Sequence, residues 1–327
     1  MTPRILITGA SGFIGTNVLK FYLDKGIEVI NVDKNPPMDS ANLKYWRETD
    51  ILNLNELKKA VREFVPTHII HLAARTDLDE KKDIRGYDVN VKGTENLINV
   101  VKEYASIKRV IFASSMLVCK LGYNPNNKCD YMPSTLYGES KVLGEKLVYE
   151  NDAMLPEWVI VRPTSIWGPW FGDPYYKFFD MVIKRKYVSL GKYAATKTFG
   201  YIKNAVFQMD KLLFEESRKV EKRMFYLGDY SPLNISVWSD NITEVLKEKP
   251  AKRVPMFIFR MAALVGDMLR MLNFKKFPMN SFRLKNMTKD NIINLRDIKQ
   301  IVPALPCSLE EGIQETLEWM KESAAKV

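Results

Sequence analysis

Tyr137 and Lys141 stand four residues apart in the stretch TLYGESK (135–141). At that spacing on a helix, a phenol and an ammonium share one face, about one turn apart. A free tyrosine has a pKa near ~10 and is a poor base at neutral pH. A neighbouring cation favours the phenolate, and a phenol tuned in this way can pass a proton to or from a carbinol oxygen. The chemistry open to this pair is the oxidation or reduction of an alcohol, provided that something beside it takes the hydride. A solvated helix face would carry the same two residues, so the spacing has to be weighed with its surroundings.

A carrier for the hydride is written at the start of the chain. The first apolar run, RILIT (4–8), leads into TGASGFIG with Gly9, Gly12 and Gly15. Glycines permit a tight turn and close backbone approach, and the helix that follows offers N–H groups and a partial positive charge to a pyrophosphate. The triplet follows a strand and opens a helix, the context that a dinucleotide-binding turn requires. Ser11, Phe13 and Ile14 lie in the same turn and complete its expected cofactor contacts. Asp33 ends the second apolar run, 18 residues past Gly15. An acid there accepts hydrogen bonds from a ribose 2′-hydroxyl and repels a 2′-phosphate, which favours NAD over NADP. Lys34 beside it softens that preference.

The elements that position these groups alternate. RILIT, EVINVD (28–33), HIIHLAA (68–74), RVIFASS (109–115) and WVIVRP (158–163) read as strands. Between them, helices are expected at 13–25, 54–64, 86–104 and 134–150. Strands apolar on both faces and separated by helices form a parallel sheet covered on two sides, so the predicted fold is a doubly wound α/β Rossmann domain. After residue 163 the alternation loosens. PWFGDPYY reads as a loop, helices are expected near 174–186, 205–219, 236–248 and 256–272, and MFYLG (224–228) is a strand among them. Ser308 with Glu310 and Glu311 marks the start of a closing helix. The predicted division is a cofactor domain over 1–165, with returning elements near 200–230, and a smaller substrate-binding lobe over 166–327.

Composition narrows the function. The 46% hydrophobic and 27% charged residues are those of a soluble globular protein. Three cysteines without a CxxC pair, and only His68 and His71, leave no disulfide framework and no metal site to be expected. The opening MTPRILITG has no charged, apolar, cleavable leader, so a cytoplasmic protein is expected. The net charge of +10 falls entirely in residues 161–327. A basic second half suits an anionic partner.

TGASGFIG, HLAA (71–74), DVNVKGTENL (88–97), SS (114–115) and YGESK (137–141) occur in that order. With them the chain resembles the extended short-chain dehydrogenase/reductases, in particular the NAD-dependent epimerase/dehydratase branch that works on nucleotide sugars. The resemblance covers nearly the whole chain. It implies that Asp50 and Ile51 flank the adenine, that Leu72, Ala73 and Ala74 line the cofactor channel, and that Asn90 anchors the long helix. It implies further that Ser114 and Pro163 sit by the cofactor, and that Ser115 completes a triad with Tyr137 and Lys141. It also implies a homodimer built through the helices at 86–104 and 134–150.

Departures from the branch restrict the reaction. Its 4,6-dehydratases need an acidic pair after the catalytic serine, where this chain has Met116 and Leu117, which cannot transfer protons. The GDP-fucose-forming epimerase/reductases use a Cys and a His where Met116 and Trp170 stand. What remains is oxidation and reduction of a carbinol: a 4-epimerase, a ketoreductase or a dehydrogenase acting on a nucleotide sugar. Ser165 replaces the usual Asn after the sixth strand, and Lys197 the usual Arg, giving a point charge in place of a bidentate fork. Arg75, Met116, Ser165, Trp167, Trp170, Lys197, Tyr201 and Arg283 are the expected substrate contacts. The aromatics Trp167, Trp170, Phe171, Tyr175 and Tyr176 either line the substrate cleft or pack a lobe interface.

VPMFIFRMAALVGDMLRML (254–272) is unusually apolar, with Lys252, Arg253, Lys275 and Lys276 around it. It is either core or dimer packing, or a surface in contact with an anionic membrane. The segment resembles the matching region of 3β-hydroxysteroid dehydrogenase-like relatives, so the alternative function is oxidation of a lipid or sterol alcohol. A third reading is a cofactor-sensing or RNA-binding protein without activity. Tyr137 and Lys141 speak against it, and no arginine-aromatic motif points to nucleic acid.

Overall fold

A computed structural model describes residues 2–271 and 279–325. Lys275, Lys276 and Leu272 lie outside the described residues. The chain divides into two units: Met1–Trp170 with Gly200–Asp229 and Asn294–Cys307, and Phe171–Phe199 with Tyr230–Ile293 and Ser308–Val327.

The first unit is built on a seven-stranded sheet. Its strands are β1 (Arg4–Thr8), β2 (Glu28–Asp33), β3 (Trp46–Glu48), β4 (His68–His71), β5 (Arg109–Ala113), β6 (Glu157–Pro163) and β7 (Arg223–Leu227). Their order is β7-β6-β5-β4-β1-β2-β3, and every pair is parallel. The helices α1 (Phe13–Asp24), α2 (Leu54–Phe64), α3 (Asp88–Val101), α4 (Leu136–Glu150) and α5 (Ile202–Phe214) belong to the same unit. Leu6, Val32, Ile69, Leu97, Val110 and Ile160 are fully buried in one core cluster, as strands covered on both faces require. Strand order reverses between β1 and β4. Such a switch point leaves a crevice at the carboxyl ends of the two strands.

The sequence reading missed β3. Its three residues, Trp-Arg-Glu, carry no apolar run, and the strand is held at the sheet edge by pairing with β2 and by Trp46 Nε1, which donates to Asp33 O at 2.8 Å. MFYLG, expected as a strand, returns to the first unit. Its first four residues, 224–227, lie in β7, beside β6. The helix expected at 205–219 is two, Ile202–Phe214 and Ser217–Val220. PWFGDPYY is a loop only as far as Pro174, since a helix starts at Tyr175.

In the second unit, the helices Tyr175–Ile183 and Ile235–Val245 pack around an aromatic core in which Trp238 meets Phe178, Phe179 and Phe199 at 4.9, 5.5 and 4.6 Å. The helices α6 (Met256–Met271) and α7 (Ser281–Thr288) pack on one another. Ser308 Oγ accepts from Glu311 N while Glu311 Oε2 accepts from Ser308 N, a reciprocal cap on the closing helix Leu309–Ala325. Among the described residues, no helix is long and apolar enough to cross a membrane.

Candidate active site

The turn after β1 occupies the switch point. Gly9 has φ +78°, and a Cβ there would lie 2.5 Å from Ala73 N in the segment after β4, so only glycine lets the two strand ends meet this closely. Gly15 is packed as tightly, against Gly9 O and Ala10. Gly12 differs. A Cβ there would meet only Gly9 O, at 3.5 Å, so the space over the turn is open. Gly12 is also the N-cap of α1 and supplies no side-chain hydrogen bond to the first turn, Phe13 to Gly15. An uncapped helix start with open space above it suits a pyrophosphate.

Ser11 fixes the turn to the end of β2. Its N–H donates to Asp33 Oδ2 at 3.2 Å, and its hydroxyl donates to Asn35 O at 2.7 Å. Asp33 Oδ1 accepts from Asn35 N at 3.0 Å. Each carboxylate oxygen thus keeps acceptor capacity for a ribose hydroxyl. Lys34 is exposed. Asp50 holds the start of its own turn, accepting from Leu52 N at 2.9 Å, while Ile51 is buried against Gly93 of α3. Leu72 and Ala73 are tied to Thr8 through their N–H groups, and Ala74 follows them, half-buried. Pro163 closes β6, in register with Leu227. These residues fit an NAD molecule with its pyrophosphate at α1 and its ribose at Asp33.

Tyr137 and Lys141 lie on α4, whose start is capped by Thr135 Oγ1 accepting from Gly138 N at 3.0 Å. Gly138 sits against the turn after β5, where a Cβ would come within 2.2 Å of Leu117 O. This contact sets Tyr137 beside the turn that Ser115 starts, near enough for the Ser115 side chain to act on the phenol's pKa. Ser115 Oγ also accepts from Leu117 N at 3.1 Å. Ser115, Tyr137 and Lys141 are each 8% exposed. The phenol's pKa is raised by burial, which outweighs the opposing effect of the Ser115 side chain. The depression expected from Lys141 is therefore not the ruling effect here. Lys141 donates to Ala113 O at 3.0 Å, and burial lowers its pKa to about 8, with Glu145 opposing. Its ammonium is spent on a carbonyl and partly discharged near neutrality, which weakens its pull on the phenol.

Below this pair the structure supplies groups that the sequence did not single out. They adjoin Asn90 of α3, whose Oδ1 accepts from Arg75 N at 2.7 Å and whose Nδ2 donates to Arg75 O and to Ser140 Oγ. His71, fully buried, joins Thr8 Oγ1 at 2.7 Å and Thr94 Oγ1 at 3.0 Å. A cavity of about 20 Å³ lies among His71, Asn90, Thr94, Ser114 and Lys141, and the buried Ser114 hydroxyl has no protein partner. Glu145, one turn beyond Lys141, forms a buried bidentate pair with Arg162 of β6 at 2.7 and 2.8 Å. Only the i, i+4 step from Lys141 could have marked Glu145.

Burial, with a smaller contribution from Lys141, lowers the His71 pKa to about 3. An unfolded chain protonates histidine below about pH 6.5, so between that pH and about 3 the unfolded state binds the extra proton and acid destabilises the fold. The expected cost is about 3 kcal/mol by pH ~4. Thermal melts should show the difference between wild type and His71→Gln shrinking as pH falls through this window. Parallel Tm–pH curves would contradict it.

The remaining expected contacts are divided between the two units. Arg75 is bound by Asp77 at 2.7 and 3.0 Å and by Gly86 O. Met116 is half-buried in the turn that Ser115 starts. Ser165 is buried, and Trp167 and Tyr201 are fully buried against one another at 4.9 Å. Their ring faces serve packing first. Trp170 holds φ +72° at the end of the first unit. Phe171 and Tyr175 pack with Phe179 and Trp238 respectively, so these two aromatics belong to the core of the second unit.

Lys197 and Arg283 belong to the second unit. Lys197 Nζ donates to Asn286 O at 3.1 Å, and burial lowers its pKa. Arg283 is exposed on α7. A cavity of about 590 Å³ in this unit is lined by other cations, Lys192, Arg260 and Lys285, with Thr196, Asn234 and Asp290. The excess of 13 basic over 5 acidic residues in 241–300 was its only trace in the sequence.

Residues 5–228 match the NAD dependent epimerase/dehydratase family. The chain belongs to this family. Among its relatives, the N-acetyl-α-D-glucosaminyl-diphospho-ditrans,octacis-undecaprenol 4-epimerase of Escherichia coli O157:H7 is 26% identical over 98% of this chain and 96% of that protein. A 3β-hydroxysteroid dehydrogenase/Δ5→4-isomerase of Mycobacterium tuberculosis is 27% identical over 77% and 72%. The UDP-glucose 4-epimerase of Thermotoga maritima, solved with UDP-glucose, has the same fold, with a TM-score of 0.76 at 18% identity over 98% and 99% of the two chains. Like other family members, the protein is an NAD-dependent enzyme.

Proposed function

We propose that the protein is an NAD-dependent epimerase or oxidoreductase acting on a ring carbinol of a nucleotide sugar, by a Ser115–Tyr137–Lys141 triad. The observation that carries this reading is that Ser115, Tyr137 and Lys141 are each buried to 8% exposure, with Ser115 heading the turn that packs against α4 and Lys141 one turn beyond Tyr137. NAD, when bound, supplies the site that accepts and returns hydride. Tyr137 takes the carbinol proton, and Ser115 donates a hydrogen bond to the same oxygen. Lys141, one turn along α4, holds positive charge below pH ~8, and its contribution toward the phenolate works against the larger effect of burial. Returning the proton from Tyr137 and the hydride to the opposite ring face inverts the carbon. Met116 and Leu117 leave no acid to expel a hydroxyl, so the sequence ends at redox chemistry.

The cations Lys192, Arg260 and Lys285 around the second-unit cavity suit a diphosphate. A cytoplasmic homodimer built through α3 and α4 belongs to the same reading. The test is incubation with UDP-glucose, UDP-N-acetylglucosamine and UDP-glucuronate. Interconversion of 4-epimers without net NADH is expected, while no exchange, or stoichiometric NADH, would count against an epimerase.

A second reading places the carbinol on a lipid-borne substrate: a sterol, or a sugar on a polyprenyl diphosphate. The apolar face that α6 presents to solvent favours it, and both sequence relatives described above act on such molecules by name. Failure with all nucleotide sugars, with NADH formed from a sterol alcohol or epimers formed from a polyprenyl diphosphate sugar, would select it.

A further inference from the structure

The helix α6 is apolar on two sides. Phe259 is buried and Ala263 is 1% exposed; Phe259 joins Leu190 and Ala194 in a core cluster of the second unit. The other side faces solvent. Phe257, Met261, Leu264, Val265, Met268 and Met271 are 65, 58, 60, 41, 58 and 86% exposed. At ~100° per residue these six fall within a stripe about 120° wide. A helix apolar all round belongs inside a protein, and contiguous exposed apolar patches of this kind mark interaction surfaces.

Charge says what covers the stripe. Residues 249–289 contain ten Lys and Arg and a single acid, Asp267. That acid is engaged, since its Oδ1 accepts from Ser281 N at the start of α7. Arg260 borders the stripe and shares the cavity lining with Lys285 and Lys192, while Lys252 is exposed just before the helix. A second copy pressed against this face would bring two cationic rims together. An anionic surface would meet complementary charge at Arg260 and Lys252 beside the apolar stripe. At 16 residues α6 is about 24 Å long, and it is too short and too charged to span a bilayer.

We propose that the exposed face of α6 docks the protein onto the surface of an anionic phospholipid bilayer. The helix lies in the interface plane, with Phe257, Met261 and Leu264 entering the acyl boundary and the basic rim at headgroup level. This deepens the second reading above, because a lipid-borne carbinol would reach the enzyme at that surface. Docking is measured without turnover, so it stands or falls apart from the substrate.

The test is co-sedimentation of the full chain with vesicles of phosphatidylcholine alone, or with about one-third phosphatidylglycerol. Partitioning to the anionic vesicles should exceed that to the neutral ones at least tenfold, and should fall in ~1 M salt. The variant Phe257→Ser/Met261→Ser/Leu264→Ser should lose at least tenfold in partitioning while keeping its thermal midpoint and NAD binding. Lys252→Glu should weaken binding to anionic vesicles alone, and it decides the matter if the triple variant misfolds. Wild-type protein that does not sediment with anionic vesicles, or variants that bind as wild type does, would overturn the proposal. A wild-type dimer that the triple variant makes monomeric, with no vesicle binding by either, would assign the face to a second copy instead.

Discussion

Tyr137→Phe should lower turnover by about 10²–10⁴-fold while leaving NAD affinity within a factor of about two. The substitution removes the only atom that takes the proton in the proposed mechanism and keeps the ring that packs 6.1 Å from Tyr87. The fold should change in stability by no more than about 1 kcal/mol, since a single hydroxyl is removed from a ring that stays packed. Steady-state kinetics beside NAD titration separates the two effects. A Tyr137→Phe enzyme with a tenth or more of wild-type turnover would remove the phenol from the chemistry. The pH profile adds a second check. Lys141 loses its charge above pH ~8, so activity that depends on that charge should fall on the alkaline side of this value.

Glu145→Gln should cost about 3–5 kcal/mol of stability and lower Tm by roughly 10 °C. Arg162 and Glu145 are 0% and 2% exposed in their side chains, and Arg162 also donates to Lys128 O and Tyr226 Oη. Neutralising the acid leaves a guanidinium uncompensated in the core, where the full desolvation penalty is felt. The pair holds α4 against β6, so this change should also loosen the register of Tyr137 on its serine. A double variant, Glu145→Leu/Arg162→Met, removes both charges and should recover most of the lost stability, because the penalty arises from one charge without the other. Calorimetry on the three proteins decides it. A single variant as stable as wild type would mean that water reaches the pair.

The sheet was legible because its strands are apolar on both faces and its helices repeat every three or four residues. Gly9 and Gly12 could be placed from spacing, but their different roles could not: one is fixed by contact with Ala73, the other by open space. β3 escaped because edge pairing, not side-chain pattern, makes it a strand. Tyr137, Lys141 and Ser115 were singled out by type and order. The balance of effects on Tyr137 was not, since it depends on burial and on the carbonyl of Ala113 that occupies Lys141. His71 and Glu145 were invisible for the same reason: each matters through partners far away in sequence, Thr8 and Thr94 for one, Arg162 for the other. Trp167 and Tyr201 read as cleft aromatics but face each other, and nothing in their local sequence distinguishes the two uses.

The central claim is that a hydride leaves and returns at one carbinol carbon while Tyr137 carries the proton. It is tested most directly with a nucleotide sugar, or with the lipid-borne sugar if that proves to be the substrate, carrying deuterium on the carbon to be inverted. The proposed chemistry predicts that both epimers keep the deuterium at that carbon and that no solvent hydrogen enters there. Loss of the label to water at that carbon would mean deprotonation of the carbon itself, and hydride transfer beside Tyr137 would be the wrong account.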